Sequence, residues 1–248
     1  MTRLISGVAL AAAALAAILF LPFVALRLLA CGVAMLAASE YVRIAGADDS
    51  GVFAAVVACW AVSSGDVHAL AAVPLLTAFV AVLMVLWRDV SIQRATAAAF
   101  ATVYIGVPLG MLAALHGAFG WRATVFLIGA MVVSDSAQYY TGRALGRRAL
   151  APAISPKKTI EGAIGGVVIG TAFTVVAGSL LVDGDHLACA ILGVSVVVLG
   201  ICGDLFESRL KRVAGVKDSS ALIPGHGGVL DRIDALLFAA PAFYLYVR

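Results

Sequence analysis

Charge is what this sequence has least of. Asp, Glu, Lys and Arg make up 12% of its 248 residues, about half of the roughly 25% found in a typical soluble domain. With 63% hydrophobic residues and a mean hydropathy of +1.07, that scarcity excludes a soluble globular domain. The period-two alternation of barrel strands is also missing. Helices are then the remaining way to span a bilayer, because a lipid-exposed backbone must satisfy its own hydrogen bonds. Cysteine is sparse: Cys31, Cys59, Cys189 and Cys202 all lie in apolar runs and form no CxxC pair, so they read as packing residues rather than metal ligands. No internal repeat, low-complexity linker or soluble domain interrupts the chain. The net charge is only +3; its distribution matters more than its size, and no nucleic-acid partner is expected.

What is there is a succession of apolar runs, at residues 5–23, 25–42, 51–62, 69–87, 95–115, 123–140, 162–182, 187–206 and 233–247. Several approach the roughly 20 residues that cross a bilayer as a helix. The expected fold is an all-α integral membrane protein, a polytopic bundle of about nine transmembrane helices. The third run is short, and eight crossings is the alternative. The first run reads as a retained helix, because another apolar run follows it instead of a polar mature region. The chain divides into a transmembrane scaffold at 1–118 and a catalytic transmembrane region at 119–248.

Lys and Arg set the orientation. Arg143, Arg147, Arg148, Lys157 and Lys158 follow the sixth run, and Arg209, Lys211, Arg212, Lys217 and Arg232 follow the eighth. Basic loops stay in the cytoplasm. Both loops are therefore expected to face it, from the inner (plasma) membrane.

The chemistry gathers around these loops. Asp204, Glu207, Ser208 and Lys211 sit at i, i+3, i+4 and i+7, which is one face of a helix. Asp231 and Asp234 repeat the i, i+3 spacing at the next apolar run. Between the two faces lie Lys217-Asp218 and Pro224-Gly225-His226-Gly227-Gly228. Carboxylates hold a hard cation such as Mg²⁺, and the cation with Lys neutralises phosphate oxygens. Glycines let backbone approach a ligand closely. His226 reads equally as a neutral structural residue. Asp135, within the sixth run, is a functional candidate because an ionisable residue at membrane depth is costly; a structural Asp paired with a nearby Arg is the alternative. Ser155-Pro156-Lys157-Lys158-Thr159 precedes a Gly-rich helix start, which suits an anion, with Thr159 as N-cap. A basic cluster touching anionic lipid would explain the same residues.

These residues carry a family resemblance. Ser208-x-x-Lys211-Arg212, Lys217-Asp218 and Pro224-x-His226-Gly227-Gly228-x-x-Asp231-Arg232-x-Asp234 resemble the pattern of the phosphatidate cytidylyltransferase family, also called CDP-diacylglycerol synthases. Ser155-Pro156-Lys157-Lys158-Thr159-x-Glu161-Gly162 resembles a second motif of that family, and in the Asp135-x-x run before it Gln138 stands where the family has Ala. The resemblance covers residues 122–248 well; the first half matches only as a hydrophobic scaffold. It implies transfer of a cytidylyl group from CTP to phosphatidate, with both as partners alongside membrane lipid, and it leaves a homodimer open. It implies Mg²⁺, with room for a second cation, on Asp204, Asp231, Asp135 and Asp234. Glu207 would orient a metal-bound water. Lys157, Lys158 and Lys217 would neutralise phosphates, with Ser155, Thr159, Ser208, Lys211, Arg212, His226, Gly227, Gly228 and Arg232 in substrate binding. A related enzyme acting on another lipid phosphate or a polyprenol is the alternative. An ion-coupled transporter fits less well, because the charge gathers in the last 120 or so residues rather than in two symmetric halves.

Overall fold

A computed structural model describes residues 2–181, 185–223, 225 and 227–247. Two residues of the sequence reading, Pro224 and His226, lie outside the described residues. The described chain is mainly helical: α1 (Thr2–Phe20), α2 (Phe23–Ala45), α3 (Ser50–Val62), α4 (Val67–Trp87), α5 (Ile92–Ala101), a π turn (Thr102–Gly106), α6 (Val107–Leu145), α7 (Ile160–Leu181), α8 (His186–Val213) and α9 (Leu230–Val247). A short antiparallel hairpin, β1 (Ala149–Ala151) with β2 (Ser155–Thr159), pairs Ala149 with Thr159 and Ala151 with Ser155. The fold is consistent with the expected all-α membrane class, and within it the segment read as a loop is a strand pair leading directly into α7.

Among the described residues, five helical stretches are long and apolar enough to cross a membrane: Phe23–Ala45, Val67–Trp87, Ile92–Leu145, Ile160–Leu180 and His186–Val213. The protein is a membrane protein. Helix α4 shows why. Only Met84 is buried along it, while Leu75, Phe79, Leu86 and Trp87 are 60–77% exposed. An apolar surface that extensive needs lipid rather than water around it. Helix α3, at 13 residues, is roughly 20 Å long, short of the roughly 30 Å hydrocarbon core.

The chain forms two compact units, Met1–Phe119 with Val213–Ile233, and Gly120–Arg212 with Asp234–Arg248. The first division falls at Gly120, whose φ of 74° and ψ of −173° break α6. Only glycine takes that backbone readily. Gly120 thus separates the fifth apolar run from the sixth.

Small residues set the packing of each unit. In the first, α3 meets the π turn so closely that a Cβ on Gly106 would stand 2.9 Å from both Ala55 Cα and Ala58 Cβ. Tyr41, Phe100 and Tyr104 cluster alongside, with ring centroids 5.7–6.2 Å apart, Phe100 stacked on Tyr104 and Tyr41 edge-on to Tyr104. In the second, Gly162, Gly166 and Gly170 repeat every four residues on α7 and turn toward α6. A Cβ on Gly162 would stand 2.8 Å from Gln138 O, and one on Gly170 3.1 Å from Ser134 Cβ. Small residues at this spacing let membrane helices touch backbone to backbone. Phe126 fills the space beside them against Phe173 and Phe243.

Gly106→Val is expected to lower the thermal-unfolding midpoint in detergent, at a cost of about 1–3 kcal/mol. Gly32→Ala, where an added Cβ meets nothing within 4 Å, is expected to leave the midpoint unchanged or raise it. Equal midpoints for the two variants would contradict this packing.

Candidate functional site

In the second unit the hairpin, α6, α7 and the end of α8 enclose a cavity of about 640 Å³. Its walls carry Asp135, Gln138, Arg143, Ser155, Lys157, Lys158 and Asp204. Several contacts within the unit fix the hairpin that forms one wall. Thr159 caps α7, its Oγ1 accepting from Gly162 N at 3.1 Å, as its place before the helix suggests. Glu161 stands one residue too early for a capping box and turns back instead, its Oε2 accepting from the amides of Arg147 and Arg148 at 3.0 and 3.2 Å. Arg212 Nε donates to Ile154 O at 3.3 Å and holds the turn of the hairpin.

The central contact is an ion pair between Lys158 Nζ and the Asp204 carboxylate. The two side chains are 23% and 32% exposed, so water reaches the pair and screens it in part. Ser208 Oγ, one turn on along α8, donates to Asp204 Oδ1 at 3.3 Å. Across the cavity, Gln138 Nε2 donates to Asp135 Oδ1 at 3.0 Å and to Ser134 Oγ at 3.3 Å. Asp234 in α9 is close enough to feel the charges of Asp204 and Asp135. Three carboxylates near a single Lys repel each other unless cations offset them. Lys157 is exposed at the rim.

Glu207 and Lys211 pair with one another on the buried face of α8. They line none of this cavity.

The remaining sequence candidates belong to the first unit, on the loop 213–229 and the start of α9. Asp231 Oδ2 accepts from Ser219 N at 2.9 Å and Gly228 N at 2.8 Å, and lies 2.8 Å from Ser219 Oγ. Gly227 has a φ of 81°, and a Cβ there would stand 2.5 Å from Asp231 Oδ2. The two glycines read as room for a ligand are therefore in contact with the protein's own side chains. Lys217 and Arg232 are exposed.

Sequence reasoning missed Glu40, which is 2% exposed and accepts hydrogen bonds from this loop. Its signal was a lone carboxylate at the end of the second apolar run, where a charge is costly. Among the described residues, no three His, Cys, Asp or Glu groups converge closely enough to enclose a metal ion.

A profile of the cytidylyltransferase family matches residues 1–248, the whole chain. The chain belongs to the cytidylyltransferase family. Among similar proteins, a phosphatidate cytidylyltransferase of Haemophilus influenzae is 45% identical over 137 residues, 53% of this chain and 46% of the relative. A phosphatidate cytidylyltransferase of Thermotoga maritima is 37% identical over 171 residues, 65% of this chain and 63% of the relative. An uncharacterized protein of Escherichia coli, YnbB, is 38% identical over 172 residues, 59% of this chain and 58% of the relative. The matches span 46–63% of the length of these three relatives.

Proposed function

We propose that this chain transfers the cytidylyl group of CTP to phosphatidate, giving CDP-diacylglycerol and pyrophosphate in phospholipid biosynthesis. The Lys158–Asp204 pair carries the reading. It stands in the wall of a cavity that also presents Asp135, Ser155 and Lys157, and cations beside carboxylates in so apolar a chain suit a phosphate-bearing substrate together with a hard cation. The family assignment and the names of the Haemophilus influenzae and Thermotoga maritima relatives support it.

In this reaction a phosphate oxygen of phosphatidate forms a bond to the α-phosphorus of CTP. The bond from that phosphorus to the oxygen bridging to the β-phosphate breaks, and pyrophosphate leaves with the electron pair. The attacking oxygen is already a nucleophile, so no Ser or Cys is needed. The protein's task is alignment and charge neutralisation. Lys157 and Lys158 offset phosphate charge, and the hydroxyls of Ser155 and Ser208 donate to phosphate oxygens.

The donor set fits Mg²⁺, which is held by one or two carboxylates together with substrate phosphates and water rather than by a closed protein cage. Asp135 and Asp204 are assigned to it at the cavity, and Asp231 and Asp234, near the start of α9, are the further candidate carboxylates. When bound, the ion neutralises the nucleotide phosphates and the leaving pyrophosphate. Radiolabelled CTP and phosphatidate in detergent should give CDP-diacylglycerol with purified protein and Mg²⁺, and excess EDTA should abolish the product. Full turnover in EDTA would remove the cation from the proposal, and no product under any divalent cation would remove the reaction.

The double variant Lys157→Ala, Lys158→Ala should raise the apparent KM for a substrate or lower kcat by roughly ten-fold or more. Lys158→Arg should restore only part, because a broad guanidinium does not replace a compact ammonium. Wild-type kinetics for the double variant in a neutral detergent would reduce the pair to a lipid-touching cluster.

A cytoplasmic placement of the hairpin and the 213–229 loop follows from the basic residues in those segments. Leu222 is 55% exposed on that loop. In a background without the native cysteines, Leu222→Cys should resist a membrane-impermeant thiol reagent in intact cells and react in inverted vesicles. Labelling from outside would reverse the topology.

A further inference from the structure

Glu40 is a buried carboxylate near the end of α2, in a chain that has few charges to spare. Both of its oxygens are engaged by partners from 219–230. Oε1 accepts from Ser220 Oγ at 2.7 Å and Val229 N at 3.0 Å. Oε2 accepts from Leu230 N at 2.8 Å and lies 2.8 Å from Ser219 Oγ. Val229 N and Leu230 N are amides at the start of α9, where no earlier turn of helix supplies an acceptor and the helix dipole favours negative charge. The same Ser219 hydroxyl is 2.8 Å from Asp231 Oδ2, so one group bridges Glu40 and Asp231. Gly228 is pressed into this knot: a Cβ there would run into Ser219 Oγ and Glu40 Oε2.

We infer that Glu40 is a positioning residue: by gripping the 213–229 loop at Ser219 and Ser220 and again at Val229 and Leu230, it fixes the loop that holds Asp231. The helix read as scaffold thereby sets the geometry of the motif some 180–190 residues later. A carboxylate is required for this. Its two oxygens each face a backbone N–H, so a glutamine, whichever way its amide is turned, sets an NH₂ against one of those donors. The contribution of Glu40 to turnover rests on the proposed cytidylyl transfer; the clamp itself does not.

The test is Glu40→Gln, purified in detergent and followed by amide hydrogen exchange as well as by CTP turnover. Exchange is expected to rise at least ten-fold across 213–231 and to stay at the wild-type level in α7 and α8, with turnover falling at least ten-fold. Should Glu40→Gln fail to fold, Ser219→Ala with Ser220→Ala removes two of the donors and leaves the carboxylate on the α9 amides. It is expected to loosen 213–222 and to lower turnover several-fold. Wild-type exchange in the loop would overturn the inference, as would a uniform rise through every helix, or a loosened loop with unchanged turnover. A wild-type protein without cytidylyl transfer would overturn the proposed reaction, and the exchange comparison would still decide the clamp.

Discussion

Lys158 grips Asp204, and the shape of the cavity depends on that ion pair. A hairpin of three and five residues is too small to hold itself together in water. It stays in place because side chains from neighbouring elements hold it: Lys158 ties its second strand to α8, Arg212 ties its turn to the same helix, and Glu161 ties the start of α7 to the amides of Arg147 and Arg148. In a chain with so few charges, the residues that could meet a phosphate are also the ones that build the wall it would meet. Removing one changes both the charge and the shape of the cavity.

Close helix contact makes the second condition. Gly162, Gly166 and Gly170 let α7 lie against the backbone of α6 at Gln138 and Ser134. That approach sets how far Asp135 and its partner Gln138 stand from the hairpin that follows on from α6. Lipid supplies no hydrophobic drive between helices, so van der Waals contact of this kind must do the work. A side chain at any of the three glycines would push α6 away and open the cavity from a position that carries no chemistry.

The helices were legible in the sequence because long apolar runs in a chain without polar domains leave little choice. Most of the nine runs coincide with helices, although the first runs on past the end of α1 and the fifth crosses the π turn. Lys158 and Asp204 were singled out from residue type and spacing alone. The hairpin was not legible: Ser-Pro-Lys-Lys-Thr has no period-two alternation, and its pairing is held by tethers from elsewhere. Glu40 was hidden for a different reason. Its partners are 179 to 190 residues away, and no local pattern reports a contact of that range. The two glycines at 227 and 228 were noticed, but the reason for them was not, because the side chains they accommodate belong partly to α2.

Asp204 and Asp231 are the same residue type, and their partners give them different chemistry. Asp204 is balanced by a flexible ammonium that is 23% exposed, on a side chain with several rotatable bonds. Such a partner is exchangeable: a hard cation competes for the carboxylate, while an arriving phosphate competes for the ammonium. Asp231 Oδ2 is held by two backbone amides and a serine hydroxyl, and backbone amides cannot be traded without moving the loop. The difference is written in what donates to each oxygen, and in the first unit that leads back through Ser219 to Glu40.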